Sequence, residues 1–118
     1  MNLALWVAQI LAGAAFLMAG IMKSTRPVPE LAKRMNWVSW VSPSTVRLVG
    51  VSELAGGLGL ILPWATGIAR VLTPVAAAAL TLVMILAAGL HAKKSDWAGI
   101  APSIVLGALA AFVAWGRF

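Results

Sequence analysis

Long apolar runs alternate with short polar breaks along this chain. Residues 3–22, 43–63, 67–91 and 98–116 are almost wholly apolar. At a rise of about 1.5 Å per residue, each reaches or nearly reaches across a hydrocarbon core of about 30 Å. Lipid offers no partner to unpaired backbone groups, so all four runs are predicted to be helices. The pattern specifies an all-α, integral-membrane four-helix bundle within a single domain, 1–118. The first run could act as a removable signal, but no basic residue precedes it, and it reads as a span.

The breaks are unequal. Residues 23–42 hold "RPVPELAKRMNWVSWV", where Pro29 suits a first helical turn beside Glu30. Leu31, Met35 and Val38 then share a face opposite Lys33 and Arg34, predicting a short amphipathic helix between the first two spans. Such a helix either lies among lipid headgroups or caps the bundle, since both bury that face. Ser42-Pro43 supplies an N-cap and first helical residue for the second span, and "WAT" after Pro63 leaves room only for a tight turn. Neither a low-complexity tract nor a convincing internal repeat interrupts this plan.

Charge orients the spans. Lys23, Arg26, Lys33, Arg34 and Arg47 lie in or beside the first break, and Lys93 and Lys94 lie in the third. Only Arg70 and Arg117 fall on the opposite side. The excess of Lys and Arg marks the cytoplasmic side and places both termini outside. Trp37, Trp40 and Trp97 fall at the cytoplasmic boundary and Trp6, Trp64 and Trp115 at the outer one, as two aromatic belts.

Composition removes several functions. A net charge of +6 can signal nucleic acid, but nine basic residues spread through a chain that is 62% hydrophobic fit a membrane bias better, and no nucleic-acid partner is expected. The mean hydropathy of +0.97 agrees. Without Cys there is no disulfide, thiolate nucleophile or thiolate-bound metal, and one His with three acids supplies a metal site poorly.

Within this apolar background one acid stands out. Small residues let membrane helices approach closely, and each span carries a stripe of them at helical spacing. Gly13, Phe16, Gly20 and Lys23 form one; Gly50, Glu53 and Gly57 form another; Ala77, Thr81, Met84, Ala88 and His91 a third; Ser103, Gly107, Ala110, Ala114 and Arg117 a fourth. Glu53 therefore faces other helices, roughly 15 Å into its own and near the midplane. Thr81 stands at a similar depth, with Ser103 nearer the cytoplasm; Lys23, Arg47 and His91 lie toward the cytoplasmic end, where long side chains can snorkel.

An ionised carboxylate at the bilayer centre costs from about 2.5 kcal/mol upward, so Glu53 is either protonated or paired. Arg47, six positions back, is off its face, which leaves Lys23 or a polar group on another helix as the better partner. The candidate site is then Glu53 as acid/base group, with Lys23, Arg47, Glu53 itself, Thr81 and His91 as ligand-binding groups. His91 beside Lys93 and Lys94 also reads as an interfacial side chain, Gln9 as an interhelical hydrogen-bonding group, and Pro74 as a kink or local opening in the third span.

Across nearly its whole length the chain resembles the DoxX-like family of small four-span bacterial membrane proteins. The likeness is carried by "AGIMKSTRP", "TVRLVGVSELAGGLGLILP", the run ending "AAGLHAKK", and "AWGRF". It implies a compact bundle in the bacterial cytoplasmic (inner) membrane and an association with small subunits of quinone-linked oxidoreductases. It also implies that Lys23, Arg47, Glu53 and His91 match recurring polar positions of the family.

Three functions compete. The bundle could hold an apolar small molecule such as a quinone, acting as a redox-accessory protein. It could be a non-enzymatic assembly or chaperone subunit for a membrane-protein partner, or a homo-oligomer. Glu53 could act as an acid/base catalyst on a lipophilic substrate. A channel fits less well, because four spans with one acid present no evident polar pathway.

Overall fold

The computed structural model describes residues 2–33 and 35–118, apart from the side chain of Asn36. Four long helices, α1 (Asn2–Thr25), α3 (Pro43–Thr66), α4 (Leu72–Lys93) and α5 (Trp97–Arg117), are each long and apolar enough to cross a membrane. A one-and-a-half-turn helix, α2 (Val28–Ala32), and a 3₁₀ helix at Asn36–Trp40 join α1 to α3. α1 packs along α3 and α4 along α5; α3 on α4 and α1 on α5 close the ring. Leu11, Met18, Val51, Leu62, Leu82 and Ile104 are among the large apolar side chains left on the outside, facing where lipid would be.

The bundle is solid at the end that carries both termini. Ala8, Ala12, Phe16, Leu60, Ala77, Leu80, Met84, Ala110 and Val113 bury one another there. Polar side chains serve the backbone at this end. Gln9 Nε2 donates to the Leu60 carbonyl at 2.7 Å. Pro63 lies inside α3 and has no N–H for the Gly59 carbonyl, so Thr73 Oγ1 donates to that oxygen instead, at 2.8 Å. The proline thus passes without ending the helix. α3 runs on through "WAT" to Thr66, and Gly67, left-handed at φ 76°, makes the turn.

Three expectations change accordingly, the first being that "WAT" is the last turn of α3 and not a tight turn. α4 begins at Leu72, later than its apolar run, because the chain needs 67–71 to turn. Pro74 then sits in the first turn of α4, where no N–H is required, and neither kinks nor opens the helix.

The long connector is also not one continuous helix. α2 stops at Ala32, Met35 is extended (φ −129°, ψ 100°), and the 3₁₀ turn follows. Leu31 and Val38 are both buried against Val46, so the connector caps the bundle with its apolar side. Lys33 points away and is exposed; Arg34, expected to share its face, lies outside the described residues. The break at Met35 turns Trp37 and Trp40 back toward the helices, which a straight helix would not do.

Candidate functional site

The site begins with four glycines. A Cβ on Gly20 would come 2.5 Å from the Leu54 nitrogen and 2.8 Å from the Gly50 carbonyl, and one on Gly50 would come 2.7 Å from the Lys23 Cβ. Gly57 and Gly13 face each other's helices in the same way farther along. Backbone therefore meets backbone along α1 and α3, as small residues in membrane helices permit. Lys23 passes directly over Gly50, and one helical turn on from Gly50 stands Glu53.

The consequence is a direct ion pair. Lys23 Nζ lies 2.5 Å from Glu53 Oε1, with Glu53 1% exposed. The lysine is held from two further directions: its Nζ is 5.1 Å from the centre of the Trp37 ring, and its carbonyl accepts from Arg47 Nη1 at 2.9 Å. Arg47 thus fixes the end of α1, and it does not reach Glu53.

A second pair forms where α4 gives way to α5. The helix ends in a Schellman motif: Ser95 is left-handed at φ 56°, its N–H donates to the Ala92 carbonyl, and the Asp96 N–H donates to the His91 carbonyl at 2.8 Å. That reversal returns Asp96 to His91, so that Asp96 Oδ2 lies 3.0 Å from His91 Nδ1. Asp96 Oδ1 accepts from the Gly99 N–H at 3.3 Å, capping α5 with the other half of the same carboxylate. A Cβ at Gly99 would overlap the imidazole and the carboxylate together, so a larger residue there would push the pair aside. Trp40 stands edge-on to His91, ring centres 5.8 Å apart.

Between the two pairs the bundle is open. A cavity of ≈ 750 Å³ lies between the α1/α3 and α4/α5 pairs in the half nearer the long connector. Lys23, Glu53, His91, Asp96 and Ser103 are among its polar lining, and Val49, Val83 and Leu106 among its apolar lining. Trp37 lies at its edge with Met35, so the connector that caps the bundle also covers this space.

Of the candidate residues, Lys23, Glu53 and His91 come together here. Thr81 does not: its hydroxyl donates to the Ala77 carbonyl within α4 at 2.7 Å, and it borders a separate groove between α4 and α5. Arg47 acts on the Lys23 backbone from outside the cavity. The sequence reasoning missed Asp96, Trp37 and Trp40. Asp96 was open to detection, since an Asp directly before an apolar run is an N-cap signal; that it also faces His91 follows only from the chain reversal. Among the described residues no three His, Asp or Glu side chains cluster as a metal site would require.

No curated protein and no solved structure matches this chain. A family model does, that of the DoxX-like family, over residues 7–113. With that match covering most of the sequence, and with four helices fit to cross a bilayer, the chain belongs to the DoxX-like family and is a multi-pass membrane protein.

Proposed function

We propose that the protein binds an apolar small molecule carrying oxygen atoms, such as a quinone, in the cavity between the two helix pairs, and acts as a redox-accessory protein. One observation carries this reading: an apolar cavity of ≈ 750 Å³ has an ion pair on one wall and a His–Asp pair on another. The volume falls within the several hundred Å³ usual for small-molecule sites, and a mostly apolar wall with a few polar groups is their usual lining. Lys23 Nζ and the His91 ring are the groups that would donate to ligand oxygens, and Trp37 would flank its ring, while Trp40 backs the His91 imidazole. Glu53 keeps Lys23 aimed; Arg47 positions the same lysine through its carbonyl.

The redox part of the reading rests on the resemblance to small subunits of quinone-linked oxidoreductases. In the same reading the whole chain works as one domain, the connector end faces the bacterial cytoplasm because Lys and Arg concentrate there, and both termini lie outside.

Quenching of tryptophan fluorescence by a short-chain quinone tests it, using purified protein in detergent. Saturable quenching is expected, and Lys23→Met and His91→Ala are each expected to weaken it by about tenfold, as loss of a buried hydrogen bond to a ligand would. Filling the cavity with Val83→Trp should abolish it while the helical circular dichroism persists. Equal quenching in all three variants would sink the proposal.

A further inference from the structure

At the opposite end of the bundle two arginines converge on one tryptophan. The Arg117 guanidinium carbon lies 4.4 Å from the centre of the Trp64 ring, and that of Arg70 lies 5.1 Å from the same centre. Arg117 is built in: its Nε donates to Gln9 Oε1 at 2.7 Å, its Nη1 donates to Asn2 Oδ1 at 2.8 Å, and Trp6 lies 5.7 Å away on another side. Its Nη2 is buried and has no hydrogen-bond partner among the described residues. Arg70 is exposed and comes from the turn between α3 and α4, its side chain folded back over Gly67.

Among the described residues these charges are not matched by an acidic side chain. The chain has three acidic residues. Glu30 pairs with Arg26, Glu53 with Lys23 and Asp96 with His91, all away from this end, and among the described residues no ion pair includes Arg70 or Arg117. Two guanidiniums gathered on one indole repel each other and raise the positive potential there, which favours an anion from outside. The surroundings indicate which kind. Leu3, Ile68, Trp115 and Phe118 are exposed around this end, and a ligand meeting both the arginines and these side chains would have an anionic head and an apolar body.

We propose that Arg70 and Arg117, carried on Trp64, bind the phosphate of an anionic phospholipid. Arg70, which is exposed, presents the planar guanidinium whose two parallel N–H bonds to a phosphate a lysine cannot reproduce; Arg117, its Nε and Nη1 taken by Gln9 and Asn2 and its Nη2 buried, contributes positive charge, and the indole ring carries both. The site lies at the far end of the molecule from the cavity and stands or falls independently of what the cavity holds.

Native mass spectrometry of the detergent-purified protein provides the test, with phosphatidylglycerol, phosphatidylcholine and inorganic phosphate added separately. The wild type should retain phosphatidylglycerol in preference to phosphatidylcholine. Arg70→Gln, an exposed substitution that spares the fold, should weaken that binding about fivefold, the effect of one basic residue at an anionic surface. Arg70→Lys keeps the charge and should still lose most of the affinity. Full retention in Arg70→Lys would mean diffuse attraction and overturn the built site. Binding of inorganic phosphate as tight as that of phosphatidylglycerol would overturn the lipid as its occupant.

Discussion

At the level of Phe16 and Leu60 buried side chains of all four long helices pack on one another, whereas around Glu53 and His91 the same helices border a partly open cavity of ≈ 750 Å³. Inside the packed half Gln9 and Thr73 donate to backbone carbonyls of α3, those of Leu60 and Gly59. The open half instead lines its cavity with side chains paired to one another, Lys23–Glu53 and His91–Asp96. In lipid there is little hydrophobic drive between helices, so close packing and polar bonds must hold the bundle together. Concentrating the packing in one half frees the other to keep a cavity, held open by two charge-bearing pairs and covered by the connector.

This division can be broken most forcefully in the packed half. Phe16→Ala should cost about 3–5 kcal/mol, because the surrounding helices cannot collapse around the void. Leu106→Ala, on the cavity wall, should cost about 2 kcal/mol or less, since it only enlarges a space already present. Unfolding in a graded denaturing detergent measures both, and equal losses would mean that the two halves are packed alike.

Next in size is the ion pair. Lys23→Met leaves Glu53 buried without its cation and should cost about 3 kcal/mol. Adding Glu53→Leu should restore much of that, because replacing both members of a buried pair by apolar groups is far less costly than removing one. If the double variant is no better than the single, the pair does not act as a unit. A smaller effect is expected for Thr73→Val, about 1–2 kcal/mol, from leaving the Gly59 carbonyl beside Pro63 without a donor.

How far each half was legible in the sequence follows the same division. The spans were readable because membrane length and apolar composition constrain helices so strongly. Glu53 could be placed against another helix because Gly50 and Gly57 stand on its face, and Gly13 and Gly20 mark the matching face of α1. That match also made Lys23 its better partner. Other assignments required knowing how helices cross. Thr81 shares the small-residue stripe of α4 with His91, yet the stripe is long enough for its two residues to face different spaces. Trp37 and Trp40 fit an aromatic belt by their position in the chain, and only the break at Met35 turns them toward Lys23 and His91. Pro74 was misjudged because the start of α4 depends on how many residues the turn after Gly67 consumes.

The smallest expected effect on stability falls on the open half and bears most directly on its chemistry. Ser95 adopts φ 56°, a left-handed conformation that costs a residue with a Cβ about 1–2 kcal/mol and glycine almost nothing. Ser95→Gly should therefore stabilise the protein by up to about 1 kcal/mol, part of the gain being offset by the greater freedom of glycine in the unfolded chain. Ser95→Val should act the other way: its β-branched side chain resists the left-handed turn, so the Schellman reversal loosens and Asp96 is drawn off His91. His91 is the chain's single histidine, so one imidazole resonance reports the contact without assignment by mutation. That resonance should be nearly unmoved in Ser95→Gly and shifted in Ser95→Val, with quinone quenching weakened in the latter alone. A lower stability for Ser95→Val with an unmoved resonance would show that the turn holds the helices together without holding the His–Asp pair, and the division between a packed half and a chemical half would then not extend to this corner of the bundle.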